Sequence, residues 1–292
     1  MNTCIACGND KFELLLKSKD FCVSKEDFNI VKCTNCGFAL TENAPDEKHI
    51  GSYYEHEDYI SHSDTSKGLI FKIYHWVRNI MLKRKLGYIR KHKNIQSLLD
   101  VGAGTAYFVN YLRESGIEAI GVEPDSGARK QAKDNFNIDL LEGLTQVDFS
   151  QRKFDAISMW HVLEHVHQLD EYFLNFNSFL KENGLLVIAV PNYTSLDANY
   201  YKEFWAAYDL PKHLWHFSPQ SLKTLAENHG FQHLKSYAMP YDSYYISLLS
   251  EKHKATGVFG KLRAMIIGEL SYLNAFFQSE KASSVVYVFQ KK

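Results

Sequence analysis

Two glycines at the end of an apolar run, with acidic residues before and after them, have types and spacing that indicate ligand chemistry. The run Leu98–Val101 contains Asp100 and leads into Gly102 and Gly104. Glycines at the carboxyl end of a strand let the chain approach a ligand closely. Glu123 ends the next apolar run, where an acid can accept hydrogen bonds from both hydroxyls of a ribose. The spacing therefore indicates a nucleoside-containing ligand.

Tyr107 and Asp100 indicate the charge of that ligand. A dinucleotide site requires a third glycine at position 107, and this position is occupied by Tyr107. Asp100 would repel two phosphates, but it would attract the ammonium and sulfonium groups of S-adenosylmethionine. We therefore expect S-adenosylmethionine as the cofactor rather than a dinucleotide.

The cysteines form a second group with chemical potential. All five lie within the first 36 residues, and four of them form two Cys-x-x-Cys-Gly phrases, at Cys4–Cys7 and Cys33–Cys36. This spacing lets two tight turns present Cys4, Cys7, Cys33 and Cys36 to one zinc ion, with no open position for substrate. Disulfides are the alternative, but paired Cys-x-x-Cys spacing in a chain without a secretory signal favours structural Zn²⁺. Cys22 is left over and is expected to be a buried thiol.

Several later phrases continue the pattern begun by Asp100-x-Gly102-x-Gly104. From about residue 97 to 231 the sequence resembles the class I S-adenosylmethionine-dependent methyltransferases. Within that class it is similar to the ubiquinone-biosynthesis O-methyltransferase group, and the zinc knuckles resemble those of sugar and secondary-metabolite methyltransferases. The matching segments follow in the order typical of the class: Phe154–Ile157, Trp160–Val166, Leu180–Leu185 and Val190–Asn192.

The resemblance implies a set of cofactor-binding residues. Asp100, Gly102 and Gly104 would line the methionine end, and Glu123 the ribose. Trp160 would flank the cofactor, although plain core packing is its alternative role. The loop that usually borders the adenine corresponds to Gly143 and Leu144, where the usual polar residue is missing.

Three histidines are candidates for acid–base chemistry. Transfer of a methyl group to a hydroxyl calls for a base, and histidine suits that role near neutral pH. If residues 160–166 are helical, His161, Glu164 and His165 share one face. That face would hold a base, a divalent ion, or only a structural Glu–His pair. His213, in a loop before a helix, is the alternative base.

The elements that must position these residues follow from the hydrophobic pattern. From Ser97 onward, short apolar runs alternate with helical segments, which predicts an α/β, Rossmann-like doubly wound sheet. Strands are predicted at Ser97–Val101, Ala119–Glu123, Asp139–Leu141, Phe154–Ser158, Leu185–Pro191, Phe231–Ala238 and Val285–Phe289. Helices are predicted at Tyr107–Ser115, Asp125–Asn135, Leu169–Leu180 and Pro219–His229.

Three domains are predicted along the chain. Residues 1–45 form the zinc-binding module, and 46–95 form a helical linker or lid that includes a Tyr- and His-rich stretch reaching residue 65. Residues 96–292 form the cofactor-binding domain, with a helical insertion at about 241–281. That insertion would cap an acceptor pocket, form a homodimer face, or simply pack on the domain. The basic runs Lys83–Lys85 and Arg90–Lys93 are expected to form a solvated helix face, with contact to an anionic partner as the alternative.

Composition restricts the partners. The 292 residues carry a net charge of −1, without the basic excess that RNA binding normally requires. A small-molecule methyl acceptor is therefore expected, with an RNA methyltransferase or a non-catalytic cofactor-binding module as alternatives. Because the longest apolar run has only six residues, Leu185–Val190, no membrane span is expected. With no secretory signal, the expected location is the cytoplasm.

Overall fold

The computed structural model describes residues 3–54, 69–148 and 152–292, and their strands form two sheets. In chain order the strands are β1 (Phe12–Lys19), β2 (Asp27–Cys33), β3 (Ala39–Thr41), β4 (Ser97–Val101), β5 (Glu118–Val122), β6 (Phe154–Trp160), β7 (Leu180–Pro191), β8 (Trp215–His216), β9 (Phe231–Ala238) and β10 (Ser284–Lys291).

The helices connect and cover these strands. They are α1 (Leu69–Arg90), α2 (Tyr107–Glu114), α3 (Ser126–Phe136), α4 (Leu169–Phe179), α5 (Leu196–Tyr201), α6 (Pro219–Asn228), α7 (Asp242–His253) and α8 (Gly257–Phe277). Local sequence explains several of their starts. The Asp125 carboxylate accepts a hydrogen bond from the Ala128 N–H, 2.7 Å away, and so caps α3. Ser218 forms a capping box with Ser221 ahead of Pro219 and begins α6.

The larger sheet carries the predicted cofactor residues. Its spatial order is β5-β4-β6-β7-β10-β9. β5, β4, β6 and β7 are parallel, whereas β10 pairs antiparallel with both β7 and β9. Every residue of β4 and β6 is buried, as expected for central strands that helices cover on both faces. The predicted α/β, Rossmann-like class is confirmed.

One predicted strand is wrong. Asp139–Leu141 forms no strand, because only Leu141 makes an isolated parallel bridge, to Val122. The Asp139 carboxylate instead forms an ion pair with Lys133 outside the sheet, with Oδ2 2.8 Å from the lysine Nζ. With only three residues, the segment is too short to add a full strand to this edge. The remaining strands and helices agree with the predictions to within a few residues.

The N-terminal residues share a sheet with the C-terminal half of the chain. β1, β2 and β3 pair antiparallel, and β3 pairs in turn with β8, where Ala39 lies opposite His216. The ring of Phe38 packs on those of Trp215 and Phe217, with centroids 5.6 and 5.7 Å away. The first 45 residues are thereby held against the larger domain.

Parts of the sequence predictions lie outside the described residues. Residues 55–65 of the Tyr- and His-rich stretch lie outside the described residues. Ile50–Tyr54, just before them, form a short 3₁₀ helix. Cys22 is exposed, so its predicted burial is wrong, because it lies in the turn between β1 and β2. In the described ranges, no helix combines the length and hydropathy needed to cross a bilayer.

Candidate functional site

The loop between β4 and α2 has a backbone that favours glycine. Gly102 and Gly104 lie at φ values of 73° and 54°, in the left-handed region that other residues rarely adopt. A Cβ added at Gly102 would lie 2.2 Å from a methyl carbon of Val162, so the Trp160–Val166 segment packs directly on this loop. Gly102 therefore lies against the segment that carries His161 and His165, two of the predicted catalytic histidines.

Asp100 places a buried carboxyl group beneath this loop. It is 2% exposed, and Ser158 donates a hydrogen bond to Oδ1 at 2.6 Å. Burial raises the pKa of Asp100 to about 6, although the charge of Lys85 and the Ser158 hydrogen bond both oppose that increase. A cation bound nearby would stabilise the charged carboxylate.

Lys85 is a residue of this site that the sequence reasoning missed. Its ammonium lies 4.6 Å from the centre of the Trp160 ring, and burial lowers its pKa against the opposing charges of Asp100 and Asp242. The expected solvated face is therefore wrong for this lysine. Helical phase could have revealed it, because Lys85 follows Leu82 by three residues and precedes Ile89 by four, and both are buried.

Glu123 lies just beyond the end of β5 and faces the same loop. Its Oε2 accepts a hydrogen bond from the Gly104 N–H at 2.8 Å, and its Oε1 accepts one from the Asp125 N–H at 3.0 Å. The Leu141 bridge to Val122 holds the next loop beside this strand end, where Gly143 precedes a 3₁₀ turn beginning at the buried Leu144. The residues predicted for ribose and adenine thus lie on two neighbouring loops beside the end of β5.

Trp160 ends β6, and its ring packs in the hydrophobic cluster that β6 forms with α1 and α2. The ring meets Phe108 edge-on at 5.8 Å, and its indole N–H has no hydrogen-bond partner among the described residues. The side chain is 8% exposed, so both predicted roles, core packing and flanking the cofactor, are compatible with its position. The site combines two carboxylates, two glycines at positive φ and an aromatic ring. These groups fit a cationic nucleoside, because carboxylates and the face of an aromatic ring both attract a positive charge.

The three candidate histidines surround one buried carboxylate, although not on a helix. His161 has a φ of 59° and only Leu163–His165 form a 3₁₀ turn, so the expected shared helical face is wrong. The Glu164 side chain is buried, and its Oε1 lies 3.4 Å from His161 Nδ1. One ligand atom each of Glu164, His165 and His213 lies within 4.8 Å of the others. The structure therefore brings His161, His165 and His213 together around Glu164.

The charge states of these histidines differ. Burial alone would lower the pKa of His161, but the carboxylates of Asp242 and Glu164 outweigh it and raise that pKa to about 10. Asp242 Oδ2 lies 3.2 Å from His161 Nε2 and reaches the site from α7. His161 is therefore an imidazolium near neutral pH, held between two carboxylates.

His165 and His213 have the opposite character. Burial lowers the pKa of each to about 4, so both imidazoles are neutral near pH 7. Their ring centres are 4.6 Å apart. Nδ1 of His213 lies 2.9 Å from the Ala207 carbonyl oxygen, and Nδ1 of His165 lies 3.1 Å from that of Lys212. If each Nδ1–H donates to its carbonyl, Nε2 carries the lone pair in both rings.

The four predicted zinc ligands converge at the N-terminal end. Cys4, Cys7, Cys33 and Cys36 are free thiols whose sulfur atoms all lie within 4.8 Å of one another. The Sγ atoms of Cys4 and Cys36 are 3.6 Å apart, as are those of Cys7 and Cys33. These separations are close to the ~3.8 Å edge of a tetrahedron with zinc–sulfur bonds of ~2.3 Å. The geometry fits a four-thiolate zinc ion.

A cleft of about 570 Å³ lies elsewhere, between β1, β2 and the turn at Glu203–Phe204. None of the predicted cofactor, catalytic or zinc residues lines it. The candidate site is instead defined by residues that meet at the carboxyl edge of the parallel strands, where ligands bind in sheets of this kind.

Comparisons with known proteins agree with this geometry. A family model described as a methyltransferase domain matches residues 74–236. A ubiquinone biosynthesis O-methyltransferase from Rickettsia bellii (strain OSU 85-389) is 27% identical over 143 residues, which cover 46% of this chain and 60% of that relative. An uncharacterized methyltransferase from Alkaliphilus oremlandii is 31% identical over 97 residues, covering 31% of this chain and 44% of that relative.

One solved structure shows the same fold. A methyltransferase from Galdieria sulphuraria superposes with a TM-score of 0.50 at 14% sequence identity, covering 76% of this chain and 88% of that one. The chain spans about 60% of the length of the Rickettsia relative. The matched family segment contains every predicted cofactor residue and all three candidate histidines, whereas the four cysteines lie outside it.

Proposed function

The chain belongs to the methyltransferase domain family, and from that premise we propose that it transfers a methyl group from S-adenosylmethionine to an oxygen atom of a small molecule. A sugar, a lipid precursor or a secondary metabolite is the proposed acceptor class. Asp100 and Glu123 support the choice of cofactor, because their carboxylates meet at the glycine loop where a cationic nucleoside would bind.

The observation that carries the choice of oxygen is a pair of neutral imidazoles beside a buried carboxylate. When bound, S-adenosylmethionine supplies an electrophilic methyl group on a sulfonium, so a hydroxyl that attacks it must lose its proton. His213 or His165 can accept that proton because each is neutral near pH 7. Glu164, 1% exposed, would then stabilise the imidazolium that forms.

We assign different roles to the three candidate histidines. The pKa of His161 is raised to about 10, so this side chain already holds its proton and is a poor base. We propose that it positions the segment by linking Asp242 of α7 to Glu164. His213 and His165 remain the proposed bases.

A divalent cation is a second candidate for activating the hydroxyl. Glu164, His165 and His213 offer one oxygen and two nitrogen atoms within 4.8 Å of each other, a donor set that borderline metals bind. In that case the ion would lower the pKa of the hydroxyl instead of an imidazole taking its proton. Activity that is lost with a chelator and restored by one metal would favour the ion.

The experiment that tests the function is transfer of a labelled methyl group. The purified chain is incubated with methyl-labelled S-adenosylmethionine and fractionated extract, and the labelled product is sized and treated with nuclease and protease. A small, nuclease-resistant product supports the proposal. Labelled RNA would establish the rival RNA methyltransferase, and cofactor binding without transfer to any fraction would indicate a non-catalytic module.

We further propose that Cys4, Cys7, Cys33 and Cys36 hold a structural zinc ion. With four thiolates the ion has no position left for substrate, so its role would be to fasten the N-terminal turns. Paired Cys-x-x-Cys zinc sites are typical of proteins in a reducing compartment, so we also propose a cytoplasmic location.

A further inference from the structure

Helix α8 has its large apolar side chains on the outside. The residues it buries are mostly small: Gly260, Ala264, Gly268, Ser271 and Ala275. Its solvent face instead carries large apolar side chains along the whole length, from Phe259 at 88% exposure to Phe277 at 82%. A surface helix normally shows the reverse distribution, so this face is built to be covered.

The size of the face indicates a macromolecular partner. If a fully exposed large apolar side chain presents ~150–250 Å², the exposed fractions along α8 amount to roughly 1,000 Å². The largest apolar patch of a typical monomer is only about 300–600 Å². A standard protein interface buries about 800 Å² on each partner, so α8 alone offers enough surface for one.

The spacing of the face indicates that the partner is another helix. Phe259, Leu262, Ile266, Leu273 and Phe276 follow intervals of three and four residues, with Glu269 filling the remaining position. Residues at alternating intervals of three and four form a continuous stripe, here called the seam, along which two helices pack against each other. An interaction with a disordered surface such as lipid would not require this register.

The order of side chains along the seam points to a second copy of this chain. Phe259 and Leu262 at one end are matched by Leu273 and Phe276 at the other. In an antiparallel pair related by a twofold axis, Phe259 would lie opposite Phe276 and Leu262 opposite Leu273. The central pair would be Ile266 opposite Glu269, whose carboxylate keeps its hydrogen bond from the Tyr244 hydroxyl. Such an interface is self-complementary, as a symmetric dimer requires.

The charges around the seam disfavour a bilayer as the partner. Glu269 lies at the middle of the seam, where it accepts a hydrogen bond from the Tyr244 hydroxyl. The two basic residues of α8 are Lys261 and Arg263, and Arg263 is paired with Glu251. An interfacial membrane helix normally carries a more strongly basic polar face. We propose that α8 forms a homodimer by antiparallel pairing with α8 of a second copy.

The proposed interface reaches the candidate site through one intervening helix. Gly268 of α8 packs against the backbone of Tyr244 in α7, where a Cβ would lie 2.9 Å from the Tyr244 Cα. Two residues earlier, Asp242 of the same helix contacts His161. Dimerisation would therefore brace the helix that holds His161.

The oligomeric state of Leu262→Glu tests the proposal, with Leu174→Glu on α4 as its control. The two leucines are 64% and 63% exposed, so the same substitution is made at equal exposure. Sedimentation at micromolar concentration should show the wild type and Leu174→Glu at about twice the 33.7 kDa monomer mass. Leu262→Glu should raise the dimer dissociation constant about 100-fold or more and sediment as a monomer.

Mixing two variants tests the orientation of the pair. Leu262→Glu and Leu273→Lys should each be monomeric alone, and their mixture should recover the dimer because the new charges lie opposite each other. Circular dichroism melts report whether each variant folds. If either does not, Phe259→Glu and Phe276→Lys, whose charges would also lie opposite each other, replace the pair. A monomeric wild type overturns the proposal, and if that monomer floats with phosphatidylcholine vesicles the face is a membrane surface. A Leu262→Glu dimer, or a mixture that stays monomeric, overturns the antiparallel seam.

Discussion

At the scale of single residues, the candidate site is organised by which groups carry charge near neutral pH. Asp100 titrates near pH 6, His161 stays protonated, and His165 and His213 stay neutral. Each state follows from burial set against the neighbouring charges. The three histidines therefore differ in role although they surround the same Glu164.

Asp100→Asn should weaken binding of S-adenosylmethionine about tenfold or more, because the amide keeps the shape of the carboxylate but loses its charge. In the wild type, affinity should rise as the pH increases through about 6 and Asp100 ionises, and it should level off above that pH. The variant should lack this rise. Calorimetric titration from pH 5 to 8 measures both effects.

The control for Asp100→Asn is Asp139→Asn, an exposed acid in the same domain. It should bind the cofactor as the wild type does at every pH. Equal losses in the two variants would show that general electrostatics, rather than the buried carboxyl group, attract the cofactor.

His213→Asn and His165→Asn should separate the proposed base from its neighbour. Removing the base should lower kcat by about 10²- to 10⁴-fold and leave the KM for the cofactor nearly unchanged. His233→Asn in β9, outside the histidine cluster, is the control and should keep wild-type kcat. If neither variant at the cluster lowers kcat by even tenfold, the general-base proposal is wrong.

At the scale of elements, the strand ends bring distant parts of the chain together. The glycine loop after β4 touches Val162 after β6, and Glu123 after β5 binds the Gly104 N–H. Parallel strands make this convergence unavoidable, because their carboxyl ends meet at one edge of the sheet.

Gly102→Ala should abolish cofactor binding, because the new methyl group would collide with Val162 and reshape the loop. Gly116→Ala provides a matched control. Gly116 has a similar φ of 77°, but no atom lies within 4 Å of the position of an added Cβ. The control should lose only about 1–2 kcal/mol of stability to backbone strain and should bind normally. Thermal melts and calorimetry distinguish the two outcomes, and a Gly102→Ala variant with wild-type affinity would contradict the assigned loop.

Sequence patterns predicted the elements that have a strong local signal. The buried runs of β4 and β6 and the helix α6 could be predicted directly, because apolar patterns are local properties of the sequence. The contact between His161 and Asp242 could not, since it depends on how α7 folds back over the sheet. Asp139–Leu141 failed for a related reason, because three residues at an edge are too few to determine pairing.

At the scale of the whole molecule, the N-terminal turns are joined to the larger domain. β3 pairs with β8, and Thr41 donates a hydrogen bond to the His213 carbonyl oxygen at 2.7 Å. The proposed zinc site therefore supports a strand that contacts the loop of a proposed catalytic residue. The four ligands could be predicted from the Cys-x-x-Cys spacing. This contact could not, because it joins residues 172 positions apart.

Cys33→Ser should lose bound zinc and lower the melting temperature, because the remaining three thiolates hold the ion less tightly. Metal content by mass spectrometry and thermal melts measure the two effects. Cys22→Ser, at an exposed cysteine outside the cluster, should keep both properties. Unchanged zinc in the Cys33 variant would refute the four-thiolate site.

The central claim is that a cationic nucleoside binds at the ends of β4 and β5. Calorimetric titration of the wild-type chain with S-adenosylmethionine and with NADH tests this claim most directly. We predict saturable binding of S-adenosylmethionine and of its product S-adenosylhomocysteine, and none of NADH, because Asp100 repels phosphate. Tight binding of NADH with no binding of either S-adenosyl compound would contradict the account.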